Sequence, residues 1–258
     1  MKISAKKQYN PCFDAQLISQ WKCQSAKGKT RQVSIVSLEK QDLSFIQNLS
    51  KNLSIYSHLE QARTTIIKSS INMIKDILEN MSELFEKTKM LVAIQDGNLC
   101  GFLLANIPKE DPNTDRIVYS SRHNPAKNET EVDWLVTWNP QKNEKIRGIG
   151  KALMGEYFRT VKADKFRDVY VRAEVPECSY AIDFYESLGF EKISKKRSKL
   201  VNKNTALYVI ADDSDKNDSI VPMVVTRSRL IKKSTDLAEE MCRQEFVKKS
   251  VNLENLLG

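Results

Sequence analysis

Ala181-Ile182-Asp183-Phe184-Tyr185-Glu186-Ser187-Leu188-Gly189-Phe190 closes one element and opens another. Ser179 to Leu188 reads as a short helix. Gly189 is its C′ cap, the position where a helix ends in positive φ, and Phe190 begins a strand. Just upstream, Val169, Val171, Ala173 and Val175 alternate with Tyr170, Arg172 and Glu174. That is a period of two, so Asp168 to Val175 is a strand, and Pro176 stops it.

Further back stands Lys145-Ile146-Arg147-Gly148-Ile149-Gly150-Lys151-Ala152-Leu153. It lies between a strand over Thr130–Trp138 and a helix over Gly148–Ala163, where Ile149, Leu153, Tyr157 and Val161 recur once per turn. Two glycines let the backbone approach a ligand closely. The start of a helix points unpaired N–H groups and its positive dipole end outward. Lys145, Arg147 and Lys151 add charge, and a pyrophosphate fits. Other phosphate loops fail on detail. The nucleotide-triphosphate loop needs Ser or Thr after its lysine, where Ala152 stands, and the dinucleotide fingerprint needs a third glycine where Leu153 stands. A plain structural turn is the competing reading of the glycine pair.

Taken together, the two segments resemble the paired signatures of the GNAT acetyltransferases: a pyrophosphate loop and, one strand later, the Ala181–Phe190 string. The resemblance covers about Gln32 to Ala211. It implies an α/β fold with a mixed, α+β-like sheet that binds acyl-CoA, and transfer of an acetyl group from acetyl-CoA to a primary amine by direct attack in a ternary complex. Val136, Thr137 and Trp138 match the strand end whose backbone pairs with pantetheine. Lys145, Ile146, Arg147, Gly148, Ile149, Gly150 and Lys151 match the loop that holds the pyrophosphate. Pro176 falls where the sheet opens to admit the cosubstrate. Tyr185 matches the tyrosine that protonates the departing thiolate. The base that takes the amine proton is open between Glu174 and Asp133, with Glu131 a third candidate. Three features depart from the pattern: Lys145 begins the loop in place of Gln or Arg, two extra residues lie between Trp138 and Lys145, and Cys178 stands where Asn is frequent. A non-catalytic acyl-CoA-binding or protein-interaction module is the alternative these departures motivate.

The rest of the chain supplies the sheet and its additions. Gln32 to Leu38 reads as a strand. Residues 41–87 carry helical period, with Ile71, Ile74, Leu78, Met81 and Phe85 on one face. Met90 to Ile94 and Leu99 to Ile107 form a hairpin around Asp96-Gly97. Residues 108–127 form a loop with three prolines, and Phe190–Ser194 and Thr205–Ala211 are the last strands, around the basic loop 195–203. The expected division is a basic arm over residues 1–31 with a short helix over Ala15–Trp21, an acetyltransferase domain over 32–212, and a linker with a C-terminal helical extension over 213–258. Leu237, Ala238, Met241, Cys242 and Phe246 mark one amphipathic helix in that extension. Helices on both faces of the sheet follow from the order of elements.

Composition narrows the class. The chain has 258 residues, 41% hydrophobic and 29% charged, and a net charge of +8, which favours anionic partners. Five cysteines at wide spacing, without a C-x-x-C pair, argue against a disulfide framework or a zinc site. Two histidines, His58 and His123, leave no His-rich metal centre. No metal is expected. The absence of an apolar leader or a long apolar run points to a cytoplasmic protein without a membrane span. A protein or peptide amine ranks above a small molecule as acceptor. Lys195, Lys196, Arg197 and Lys199 also fit an enzyme acting on tRNA or ribosomal components, but no aromatic platform accompanies them, so nucleic acid ranks lower. The oligomeric state is not legible.

Overall fold

The computed structural model describes residues 16–38, 88–106, 129–139, 145–163, 170–176, 179–192 and 220–250, with Lys68 and Asn72 as isolated helical positions. Ten strands form one sheet: β1 (Gln16–Ser25), β2 (Thr30–Ser37), β3 (Thr88–Gln95), β4 (Asn98–Asn106), β5 (Glu129–Thr137), β6 (Ile146–Arg147), β7 (Tyr170–Pro176), β8 (Glu191–Lys192), β9 (Ile220–Thr226) and β10 (Gln244–Ser250). Among the described residues three whole helices accompany them: α1 (Ile149–Ala163), α2 (Ser179–Ser187) and α3 (Arg227–Glu240). The spatial order is β10-β1-β2-β3-β4-β5-β7-β9-β8, with β6 paired to β1. The fold is mixed α/β, as the sequence predicts.

Local chemistry explains the elements that position the site. The β3–β4 hairpin turns on Asp96 and Gly97, both at positive φ (46° and 74°), and Asn98 Nδ2 donates to the Asp96 carbonyl at 2.8 Å. Helix α2 ends as expected at Gly189, φ 90°. The Phe190 N–H donates to the Tyr185 carbonyl and the Gly189 N–H to that of Glu186, the paired bonds of a Schellman cap. Ile35, Leu91, Leu103 and Val132 face α1, whose residues Ala152, Leu153, Met154, Tyr157 and Phe158 are all buried. Each large apolar side chain buried this way contributes roughly 1.5–3 kcal/mol. The opposite sheet face carries Val36, Val92, Phe102 and Leu104, which are buried as well.

Among the described strands β5 and β7 form the one parallel pair, and they stay together for four residues only, from Glu129↔Tyr170 to Val132↔Ala173. Beyond that point β5 runs on to Thr137 beside β4, and β7 runs on to Pro176 beside β9. A bulge accompanies the parting: Leu104 faces Trp134 and Ala105 faces Val132, so Asp133 is the extra residue on β5. The sheet thus forks.

Both ends of the chain depart from expectation. The segment expected to form a helix over Ala15–Trp21 inside a basic arm is strand β1, a full member of the sheet. Its residues alternate: Leu17, Ser19, Trp21, Cys23 and Ser25 are buried, while Lys22 and Gln24 are exposed. Polar Ser at two of the inward positions, 19 and 25, disguises the period. Towards the other end, the single amphipathic helix expected to carry Leu237, Met241 and Phe246 is instead the end of helix α3, a turn and the start of strand β10, with strand β9 ahead of α3. Helix α3 stops at Glu240, Cys242 adopts φ 45°, and β10 pairs antiparallel with β1. That pairing partner is more than two hundred residues away in sequence, so local periodicity carries no trace of it. Here β9 returns against β7 and β8. The expected strand over Thr205–Ala211, the loop 108–127, the basic loop 195–203 and, apart from Lys68 and Asn72, the helices over 41–87 lie outside the described residues.

Candidate active site

The α1 loop is built against elements from both chain ends. β6 pairs with the end of β1 through Gln24↔Arg147 and Ser25↔Ile146. The Ala26 N–H donates to the Lys145 carbonyl at 2.7 Å, and the Ile146 N–H to Asn139 Oδ1 at 2.8 Å. Gly148 sits at φ 97°, a conformation that strains any other residue. A Cβ there would point back into the protein, 3.1 Å from Met241 Cε and 3.6 Å from Cys23 Sγ. The Lys22 N–H in turn donates to the Met241 carbonyl at 2.8 Å. Ile146 and Ile149, both buried, pin the loop on either side of its glycine.

Helix α1 therefore starts at a fixed place. Its first intrahelical bond runs from the Ala152 N–H to the Gly148 carbonyl at 2.9 Å. The N–H groups before Ala152 have no partner within the helix, and the dipole makes their end attractive to an anion. Lys145 and Arg147 are exposed beside it. Lys151 is half-buried and lies 3.7 Å from Glu240 at the end of α3, so its charge is shared with the protein.

Gly150 allows the next layer. A Cβ there would stand 3.2 Å from the Phe184 ring, so α2 lies directly on the first turn of α1. Gly101 does the same for β4: a Cβ would lie 3.0 Å from Thr137 Cγ2 and from the Val136 carbonyl oxygen, and 3.3 Å from Ile149 Cγ2. These glycines bring the end of β5, the start of α1 and helix α2 to one point at the open end of the fork.

Within the fork, the Trp138 N–H donates to the Cys100 carbonyl at 2.9 Å, which turns its backbone toward β4. Strand alternation then turns the N–H and C=O of Thr137 to the other edge, the side from which β7 has departed. Of the three residues Val136, Thr137 and Trp138, Thr137 is thus the one whose backbone faces the gap. Asp133 and Glu174 each follow immediately on the last paired residues, Val132 and Ala173, so both backbone positions flank the apex of the fork. Glu131 remains in the paired part, opposite Arg172.

Tyr185 is half-buried on α2. Phe184 and Phe190 meet its ring edge-on at 5.3 and 5.1 Å between centroids. This apolar setting raises the phenol pKa, so the group keeps its proton well into the alkaline range. Cys23 and Cys100 are free but buried. Burial pushes the Cys23 thiol up to about 12, and burial with the neighbouring Cys23 raises Cys100 well above its ordinary value, so neither is a thiolate nucleophile.

Sequence reasoning missed Cys23, Met241, Asn139 and Phe184 as supports of the loop. The alternation of Trp21 and Cys23 with Lys22 and Gln24 is the sequence signal that could have located the first. Among the described residues no group of three His, Cys, Asp or Glu could hold a metal, and no helix is long and apolar enough to cross a membrane.

No family model matches the chain, and no curated protein matches it. Solved structures do. An aminoglycoside acetyltransferase in complex with coenzyme A and kanamycin superposes at TM-score 0.45 and 16% identity, covering 78% of this chain and 98% of that one. The PaiA N-acetyltransferase of Thermoplasma acidophilum in complex with coenzyme A gives 0.40 and 17%, over 74% and 97%. The GNAT domain of S. lividans PAT gives 0.44 and 11%, over 80% and 96%. At these values the likeness carries no argument about what this chain does.

Proposed function

We propose that this chain is a GNAT-type N-acetyltransferase that uses acetyl-CoA as cosubstrate. The observation that carries the reading is the fork: β5 and β7 part after Val132↔Ala173, and the gap opens toward the glycine-lined start of α1. An extended amide chain fits against the free edge of β5 at Thr137, and a pyrophosphate fits the N–H groups at Gly148–Lys151 with Lys145 and Arg147 beside it. No resident metal is needed for this chemistry.

The reaction follows from those positions. The amine nitrogen attacks the thioester carbonyl and forms the C–N bond. The C–S bond breaks, and the leaving thiolate takes the Tyr185 proton. The amine proton goes to a carboxylate, directly or through water, and Asp133 and Glu174 are the candidates at the apex. The raised phenol pKa keeps the group protonated, so that it faces the developing thiolate as a hydrogen-bond donor. The acceptor in this reading is a protein or peptide amine, and the protein is cytoplasmic.

The test is calorimetric titration of acetyl-CoA into the wild-type chain and Arg147→Glu, followed by release of free coenzyme A thiol with a panel of peptide and small amines. Micromolar binding weakened in the variant, with thiol release on an amine, is the expected result. Binding without turnover on any amine would leave a non-catalytic acyl-CoA module. No binding by wild type would overturn the reading.

A further inference from the structure

The turn between β1 and β2 stands beside the α1 loop, and it is built as a rigid, cationic knuckle. The Ser25 N–H donates to the Lys29 carbonyl at 2.8 Å, the Gly28 N–H to the Ser25 carbonyl at 3.0 Å, and the Lys29 N–H to Ser25 Oγ at 3.1 Å. Gly28 takes φ 74°, which closes the turn. The neighbouring Ala26 N–H bonds the Lys145 carbonyl, so the knuckle and the loop are one backbone unit. Lys27 and Lys29 on the turn, and Lys145 and Arg147 on the loop, are all exposed. Among the described residues, none of these four has a carboxylate within salt-bridge distance, whereas Lys151 has Glu240. Four cations held together with no carboxylate partner among the described residues repel one another, and a bound polyanion relieves that repulsion.

Coenzyme A carries two separate anionic groups, an internal pyrophosphate and a 3′-phosphate one ribose away. The start of α1 suits the first. Resting on the acetyl-CoA reading above, we infer that the β1–β2 turn is a second phosphate subsite, in which Lys27 and Lys29 receive the 3′-phosphate. The N-terminal strand would then do more than extend the sheet: it delivers charge that distinguishes coenzyme A from its 3′-dephospho form. The turn's backbone bonds do not involve the lysine side chains, so their removal leaves the fold intact.

Calorimetry with coenzyme A and with 3′-dephospho-coenzyme A tests this on the full chain, on the double variant Lys27→Ala/Lys29→Ala, and on Lys232→Ala. Lys232 is an exposed charge on the part of α3 nearest its start, which follows Thr226 at the far end of β9. The wild type and Lys232→Ala should prefer coenzyme A by roughly fivefold or more, a preference that shrinks as salt is added. The double variant should bind both ligands alike, with unchanged affinity for the dephospho form. A double variant that keeps the preference, or that loses affinity for both ligands equally, overturns the inference while leaving the acetyl-CoA reading standing. A wild type that binds neither ligand overturns both.

Discussion

Arg243 grips Glu156 with two nitrogens: Nε to Oε2 and a terminal nitrogen to Oε1, each at 2.9 Å, and both side chains are almost fully buried. The pair ties α1 to the residue just before β10. Ser19 Oγ donates to the same carboxylate at 2.6 Å, and Trp21 Nε1 donates to Ser19 Oγ at 2.9 Å, which brings β1 into the network. Arg243 also donates to Glu245 at 2.7 Å. Strand β1 and the start of β10 are thus locked to the helix that begins at the proposed pyrophosphate site.

Removing one partner should be costly. Arg243→Ala or Glu156→Ala leaves the other charge buried and unpaired, a loss of about 3–5 kcal/mol. Urea denaturation should show a lowered midpoint for each single variant, and Glu156→Leu with Arg243→Met should recover part of it. A midpoint unchanged by either single variant would contradict the burial described.

The same network makes stability depend on acid. The Arg243 guanidinium holds the Glu245 carboxyl below the usual carboxylate range. Because the folded pKa is depressed, the stabilisation is present above the ordinary glutamate range and is lost as the pH falls through the folded value. Glu245 is exposed, so the effect is small. Glu245→Gln should flatten the acid limb of a stability–pH profile while leaving neutral stability nearly unaltered.

Gly101→Ala should disturb both the fold and ligand binding. Its methyl would stand 3.0 Å from a backbone oxygen on β5, which cannot swing aside as a flexible side chain can. The strain is roughly 1–3 kcal/mol, and it pushes on the strand edge that faces the fork. The expected outcome is a lowered melting temperature together with weaker acetyl-CoA binding. Weaker melting with unaltered binding would show that the β5 edge does not meet the ligand.

Tyr185→Phe keeps the aromatic contacts with Phe184 and Phe190 and removes only the hydroxyl. Under the proposed mechanism kcat falls on the order of a hundredfold or more, with melting little changed. Asp133→Asn and Glu174→Gln separate the two candidate bases: the variant whose kcat/KM loses its acid-side inflection identifies the group that takes the amine proton. If neither profile changes, the base is elsewhere.

Much of the site was legible because its signals are local. Gly189 had to end α2, since a Schellman cap needs positive φ within one turn, and Asp96-Gly97 had to turn a hairpin for a similar reason. The glycines at 148 and 150 marked a close approach at a helix start before any contact was known. The place of Asp133 at the apex of the fork was not legible, since it is the extra residue of a bulge, and a bulge is a property of two paired strands rather than of one.

The sequence by itself determined the helix α1 with its loop, the alternating strand β7 and the capped helix α2, because each is written in residues a few positions apart. The tertiary structure alone decided that β1 and β10 pair with each other, that Cys23 and Met241 back Gly148, and that Glu156 meets Arg243. Those contacts join residues more than eighty positions apart and draw on short, polar-studded segments. Such segments acquire their period and their burial only when a distant partner supplies the other half of the hydrogen bonds and the core.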